Sequence, residues 1–293
     1  MPDLDIDHLR GWIGRTRVVE DLVTPRLVAE YRATLAPNLA PVGEGEGEAP
    51  LALHWCLAPE TPAADTLGPD GHAAKGGFLP PVPLPRRMWA GGEVETLAPL
   101  RLGDRVIRRE TVADVAVKEG RTGTLCFVTV RHEYETPRGL AIRERQDIVY
   151  REASRPGDPP AAAPPAAPAL PGADLAWSVA ATPVLLFRYS AMTFNGHRFH
   201  YDFPYATQVE GYAGLVVHGP MQASLLLNLA ASLLGRPPAR FRYRGVSPMI
   251  AGQTFTVAGR REGGGVSGFT ADAAGRRCME AESLQVENSE AES

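Results

Sequence analysis

The stretch from Gly211 to Gly235, GYAGLVVHGPMQASLLLNLAASLLG, constrains the fold more than any other part of the chain. Beyond Gly219 it places apolar or small residues on nearly every side of a helix. No single stripe can then face a core while the rest faces water. His218, Pro220, Gln222 and Asn228 interrupt the run, which argues for a helix buried in protein rather than a membrane span. Such a helix must be wrapped on most of its faces, and a strongly curved antiparallel sheet closing around one helix does this.

The remaining sequence supplies the strands. In the first half, Arg105–Val117, Thr122–Tyr134 and Ala141–Tyr150 are predicted strands, separated by turn signals at Glu119-Gly120 and Pro137–Gly139. This is the pattern of an antiparallel meander. LALHWCLA (Leu51–Ala58) also reads as a strand, and the spacing of Leu27, Val28, Tyr31 and Leu35 predicts a helix over Thr24–Leu35. In the second half PVLLFRYSAMT reads as an apolar strand ahead of the buried helix. Further strands follow around Phe241–Val246, Thr254–Arg260, Ser267–Ala271 and Cys278–Gln285. Between the halves lies RPGDPPAAAPPAAPALPG, which cannot build a packed core and reads as an extended connector. The expected organisation is a first domain over 1–154, a linker over 155–172 and a second domain over 173–293. The expected fold class is α+β: a tandem (double) hotdog, with curved antiparallel sheets each wrapped around a helix and joined edge to edge, which leaves fewer open edges.

Composition closes off several classes of function. A net charge of −4 and a pI near 6.0 give no electrostatic footprint for nucleic acid. Cys56, Cys126 and Cys278 are odd in number and far apart, so neither a disulfide framework nor a cysteine zinc site is expected. The opening MPDLDIDHLRGW has no apolar signal core. The expectation is a cytoplasmic protein with no membrane partner.

The chemistry concentrates in FRYSAMTFNGHRFHYD (Phe187–Asp202), which sets His197 and His200 three residues apart beside Asn195 and Asp202. By spacing alone this is open to three readings: an acid/base site, a surface pair of imidazoles, or a metal site of two histidines plus Asp202. The metal reading is disfavoured because helical zinc pairs stand at i, i+4 with a nearby glutamate. FNGHRFH, followed by the VHG of Val217–Gly219, resembles the MaoC-type (R)-hydratases, double-hotdog enzymes that add water to enoyl thioesters. That family's usual pattern is Gly-Asp-x-Asn-Pro-x-His and then Val-His-Gly. The match places the motif histidine on His200, its Asn position on His197 and its catalytic Asp position on Asn195, so the usual aspartate is absent. TFNGHRFHYD together with GGFLPPVPLPRRMWAGG (Gly76–Gly92) resembles a narrower branch, the mesaconyl-C4-CoA (3-methylfumaryl-CoA) hydratases and their itaconyl-CoA-handling relatives.

The resemblance implies a hydro-lyase that turns mesaconyl-C4-CoA into citramalyl-CoA, with coenzyme A carried by the substrate and no metal or other cofactor. The residues suit those tasks. An imidazole at His200 titrates near neutrality and can take a proton from water. Asn195 cannot accept a proton, but its carbonyl can orient water or an imidazole. Gly219, at the start of the apolar helix, offers a backbone N–H to an enolate oxygen. His218 reads as a buried hydrogen-bonding residue, and Asp202 as an orienter of His197 or His200 or as a cap on the next turn. For the substrate's free carboxylate the candidates are Arg86 and Arg87, read as part of a Pro-rich loop, and Arg198, with His197 beside it. Arg240, Arg242 and Arg244 share one strand face, either for coenzyme A phosphates or as a solvated surface. His54 and His72 lie in the first half without the motif around them, and the first half is expected to cover the acyl chain.

Rival readings stay open on sequence alone. Within the class they are itaconyl-CoA hydration and a general (R)-3-hydroxyacyl-thioester dehydratase. Outside it they are a thioesterase, or a non-catalytic acyl-CoA-binding hotdog, which the loss of the aspartate favours. A homodimer through exposed sheet edges is compatible with any of them.

Overall fold

A computed structural model describes residues 4–41, 47–120, 123–152 and 172–284. The expected connector falls, apart from Gly172, outside the described residues. Among these residues, ten antiparallel strands form one continuous sheet. The first half contributes β1 (Thr16–Leu22), β2 (Arg86–Thr96), β3 (Arg105–Gly120), β4 (Gly123–Thr136) and β5 (Gly139–Arg151). The second contributes β6 (Leu175–Ala180), β7 (Arg240–Gly245), β8 (Thr254–Glu262), β9 (Gly265–Ala271) and β10 (Arg277–Leu284). The spatial order is β1-β3-β4-β5-β2-β7-β10-β9-β8-β6. Counted from its own open edge, each half therefore runs in the same order, and the two meet where β2 pairs with β7.

The helices are α1 (Ile6–Arg10), α2 (Pro25–Leu35), α3 (Pro183–Thr193) and α4 (Gly219–Leu234). Helix α4 is the apolar segment singled out above; it lies against β8, β9 and β10, and the residues from Met221 to Ala231 are all buried. The polar interruptions in it are all bonded. Gln222 Oε1 accepts from the Thr270 hydroxyl at 2.6 Å. Asn228 Oδ1 accepts from the Ala40 N–H at 3.0 Å, and its amide donates to the carbonyls of Ser224 (2.9 Å) and Leu51 (3.3 Å). Asn228 thus ties the central helix of the second half to two backbone groups of the first. Helix α2 packs instead on α3 and on a 3-10 turn at Leu53–Cys56.

Three sequence expectations need correction. PVLLFRYSAMT is helix α3, not a strand. Its Thr182 hydroxyl accepts from the Leu185 N–H at 3.1 Å and Pro183 stands in the first turn, a cap signal that an apolar run without clear period had hidden. LALHWCLA is not a strand either, because Ala52 adopts φ 68° and turns the chain into the 53–56 segment. RRMWAGG is strand rather than loop: the proline-rich passage ends at Pro85, and Gly91 and Gly92 sit inside β2 where Tyr243 of β7 presses on the backbone. Strands β1 and β6, the two open edges, were not foreseen. No helix among the described residues is long and apolar enough to cross a membrane.

Replacing Asn228 by Ala leaves the Ala40 N–H buried without its acceptor and takes one of two donors from the Leu51 carbonyl, which keeps the Tyr31 hydroxyl at 3.0 Å. The unfolding free energy from urea titration is expected to fall by about 1–3 kcal/mol. A fall below about 0.5 kcal/mol, the range of ordinary surface changes, would show that the tie between the halves does not matter to stability.

Candidate active site

Helix α3 ends at Phe194, in the left-handed region at φ 49°, and the Asn195 N–H closes it on the Ser190 carbonyl at 2.9 Å. That turn sends the chain back across the start of α4. The segment Arg198–His200 forms a short helical turn, and the Val216 N–H bonds the Phe199 carbonyl at 3.0 Å. His200 Nδ1 donates to the Val216 carbonyl at 2.7 Å, which leaves Nε2 as the basic nitrogen. The imidazole ring stacks on His218, centroids 3.5 Å apart, and His218 Nε2 meets the Ser190 hydroxyl at 2.8 Å. Burial, then the neighbouring His218 and His197, push His200 well below the usual histidine range. His218, fully buried, is pushed down to about 3. Both rings are neutral at ordinary pH, so the free His200 Nε2 is able to accept a hydrogen bond or a proton.

His200 opens onto a cavity of about 1220 Å³, bordered also by Asn195, His197 and Gly219 of the second half and by His72 and Arg87 of the first. Asn195 Oδ1 accepts from the His197 N–H at 3.0 Å. His197 Nε2 donates to Glu210 Oε1 at 3.2 Å, and its ring stacks on Phe199 at 3.6 Å. Gly219 is the first residue of α4, so its N–H is one that a helix cannot bond internally. A Cβ there would lie 2.7 Å from the Trp89 ring, which makes glycine the residue that fits.

The wall behind Gly219 comes from both halves. Trp89 stacks on Tyr243 at 4.4 Å and meets Trp55 edge-on at 5.6 Å. A fully buried carboxylate, Glu144, holds this set: it accepts from Trp55 Nε1 at 2.8 Å, Gln146 at 2.9 Å and the Tyr243 hydroxyl at 3.3 Å, with His54 3.8 Å away. Burial opposes its charge, but His132, His54 and the donors outweigh that and hold the carboxyl below the usual range.

The arginines separate cleanly. Arg198 lies outside the cavity lining: it holds Asp202 at 2.7 Å and the Pro69 carbonyl at 3.0 Å. Arg242 is also outside that lining, on an exposed sheet face. It pairs there with Glu93 and, at 3.5 Å, Glu282, while Arg240 and Arg244 pair with Glu95 and Glu280. Cross-strand glutamates have claimed that row, so it is a paired surface. Arg86 reaches the cavity but sits 3.4 Å from Glu210 and 4.7 Å over Tyr212. Arg87 borders the cavity and has no carboxylate within salt-bridge distance among the described residues. Asp202 neither orients a histidine nor joins a metal set; it caps the next turn through the Tyr205 N–H at 3.1 Å. The group best spaced for a cation is Asp70, His72 and His197, whose ligand atoms lie within 4.8 Å of one another. There Asp70 and Glu210 already hold the two imidazoles.

Asp70, His72, Glu210, Trp55 and Trp89 were not picked out as site residues from the sequence. The one local signal was GPDGH, where an aspartate followed by glycine predicts a turn closed by its own side chain. The His72 N–H does bond Asp70 Oδ1, at 3.1 Å.

The sequence pattern described as Hydroxyacyl-thioester dehydratase type 2 matches residues 51–251, more than half of the chain. The chain is 43% identical over 257 residues to mesaconyl-C(4)-CoA hydratase of Chloroflexus aurantiacus, covering 86% of this chain and 89% of that protein. In structure it resembles a MaoC-like dehydratase from Phytophthora capsici, with a TM-score of 0.66, 17% identity and coverage of 98% of this chain and all of that one. It also resembles a Mycobacterium tuberculosis protein with a double hotdog fold, with a TM-score of 0.56, 15% identity and coverage of 92% and 95%. The chain belongs to the hydroxyacyl-thioester dehydratase type 2 family and has the MaoC-like double hotdog fold.

Proposed function

We propose that this protein is a hydratase that adds water across the double bond of mesaconyl-C4-CoA to give citramalyl-CoA, reversibly. The observation that carries the reading is the setting of His200. It is a neutral imidazole with Nδ1 tied to a carbonyl and Nε2 left for water, in a cavity that also holds the Gly219 N–H. The 43% identity to the Chloroflexus hydratase supports the same substrate.

His200 Nε2 takes a proton from water as its oxygen bonds to the β-carbon. The π electrons move to the thioester oxygen, where the Gly219 N–H and the positive end of α4 meet the developing charge. The imidazolium then returns the proton to the α-carbon. Asn195, fixed by the His197 N–H, orients the reactants without exchanging a proton. Only side chains, backbone and water take part. The substrate's free carboxylate falls to Arg87, whose planar guanidinium can grip it with two hydrogen bonds.

Mass spectrometry on a panel of mesaconyl-C4-CoA, itaconyl-CoA and crotonyl-CoA tests the reading. Gain of one water is expected on mesaconyl-C4-CoA most rapidly. Turnover confined to crotonyl-CoA would leave a general dehydratase, and binding without turnover an acyl-CoA-binding protein. Replacing His200 by Ala is expected to lower kcat by about 10²–10⁴-fold, the span of a lost general base; near-normal turnover would remove it from that role. Replacing Arg87 by Met should cut the preference for mesaconyl-C4-CoA over crotonyl-CoA by about 2–5 kcal/mol, read as the ratio of their kcat/KM values.

The pH dependence follows from the depressed His200. A base works only when deprotonated, so the rate falls as pH drops through its pKa. With that pKa well below 6.5, kcat/KM should stay level as pH falls through 6.5. An acid limb centred there would mean that the working imidazole is not the buried one.

A further inference from the structure

The first half carries no recognisable catalytic motif, yet it presses an imidazole against the motif of the second. The loop from Gly68 to Ala73 docks directly on residues 196–198. The Arg198 N–H bonds the Asp70 carbonyl at 2.9 Å, and a Cβ on Gly71 would overlap the Gly196 carbonyl oxygen. Gly71 also sits at φ +86°, where side chains are strained, so glycine is required twice over. This contact sets the His72 ring 4.3 Å from the His197 ring, and His72 borders the same cavity as His200 and Asn195.

Asp70 fixes how that ring is used. Its Oδ1 accepts the His72 backbone N–H at 3.1 Å and its Oδ2 meets Nδ1 at 2.8 Å. An ionised carboxylate can only accept, so Nδ1 carries the hydrogen and Nε2 is left as an acceptor. Burial and then the Arg87 charge push the imidazole down to about 3 against the pull of Asp70, so it stays neutral.

A water that attacks carbon must aim a lone pair at it, and that geometry is fixed when both of its hydrogens are held by acceptors. His200 Nε2 is one acceptor. The motif's usual second one, an aspartate, is missing, and Asn195 Oδ1 takes the His197 N–H on one of its two lone pairs, so it meets the water as a neutral, already shared acceptor. We propose that the Asp70–His72 pair of the first half replaces that aspartate, with His72 Nε2 holding the second hydrogen of the attacking water. The assignment rests on the hydratase reading above. One O–H bond breaks, with its proton going to His200 Nε2 and on to the α-carbon, and the new C–O bond forms at the β-carbon. The second hydrogen stays on oxygen as the product hydroxyl, still donated to His72, which never changes its protonation state. His72 touches a reactant and is catalytic; Asp70 acts through it and is a positioning residue.

The test uses the full chain with His72→Phe, which keeps a ring against His197, and Asp70→Asn, which frees the tautomer. Each is made alone and with Asn195→Asp, and mesaconyl-C4-CoA is the substrate. Each single variant is expected to lose about 100-fold in kcat with KM changed by less than about threefold. Restoring the carboxylate through Asn195→Asp should recover at least about tenfold of that loss. A purely structural role would not respond to a carboxylate placed elsewhere in the cavity. Single variants within about threefold of the original kcat, a loss confined to KM, or double variants no better than the singles would each overturn the proposal. If the unaltered protein turns over none of the panel, the hydratase reading falls and this assignment with it. If it is active and sensitive to His200→Ala while His72→Phe is silent, only this assignment falls.

Discussion

Everything in this molecule follows from the need to bury a helix that is apolar on almost every side. Helix α4 cannot lie on a flat sheet with half its surface in water, so the five strands of the second half curve about it and the first half closes over what remains. The closure also requires partners for the few polar groups along the helix. Asn228 shows the consequence: its amide is satisfied only because Ala40 and Leu51 arrive from the other half. The start of the same helix, with its unbonded N–H groups, is the one place where the buried element meets the cavity. Core and chemistry therefore share a single element.

The site is electrostatically quiet in a particular way. His200, His218 and His72 are all held well below the usual histidine range, first by burial and then by charges around them. Three neutral imidazoles in one neighbourhood supply acceptors without fixing a charge, which suits a step in which one proton is taken up and returned. The full charges stand behind this layer, on Glu210, Asp70 and Glu144, where they orient rings through hydrogen bonds. Arg87 and Arg151 border the same space, neither with a carboxylate within salt-bridge distance among the described residues.

The sequence was informative where local pattern and global packing agree. The strands from Arg105 to Tyr150 alternate with clear turn signals, and the buried helix announces itself by composition, so both were legible. Helix α3 was misread because PVLLFRYSAMT lacks a clear period; its evidence lies in the Thr182-Pro183 cap rather than in its body. Strand β2 was hidden because Gly91 and Gly92 read as loop residues, whereas they are needed for the close approach of Tyr243 across the joint between halves. His197 and His200 could be found by their motif. His72 could not: it lies more than a hundred residues upstream, and only the folded sheet brings it to His197. Arg198 and Arg242 were drawn toward the substrate by their charge, and only the structure reveals the acidic residues already beside them.

The docking of Gly71 on Gly196 is a contact between two segments that occur once each in the chain. Two identical single-hotdog subunits related by a twofold axis would have to present every loop twice, so a residue added to complete one site would appear in the other as well. Covalent duplication removes that symmetry. One repeat is free to lose its own active centre and to turn a loop into a component of its neighbour's, and a substitution in either repeat is then felt at a single place. The asymmetry of this molecule, two repeats of the same strand order that bring different loops to one cavity, is closed to a twofold pair of identical hotdog subunits.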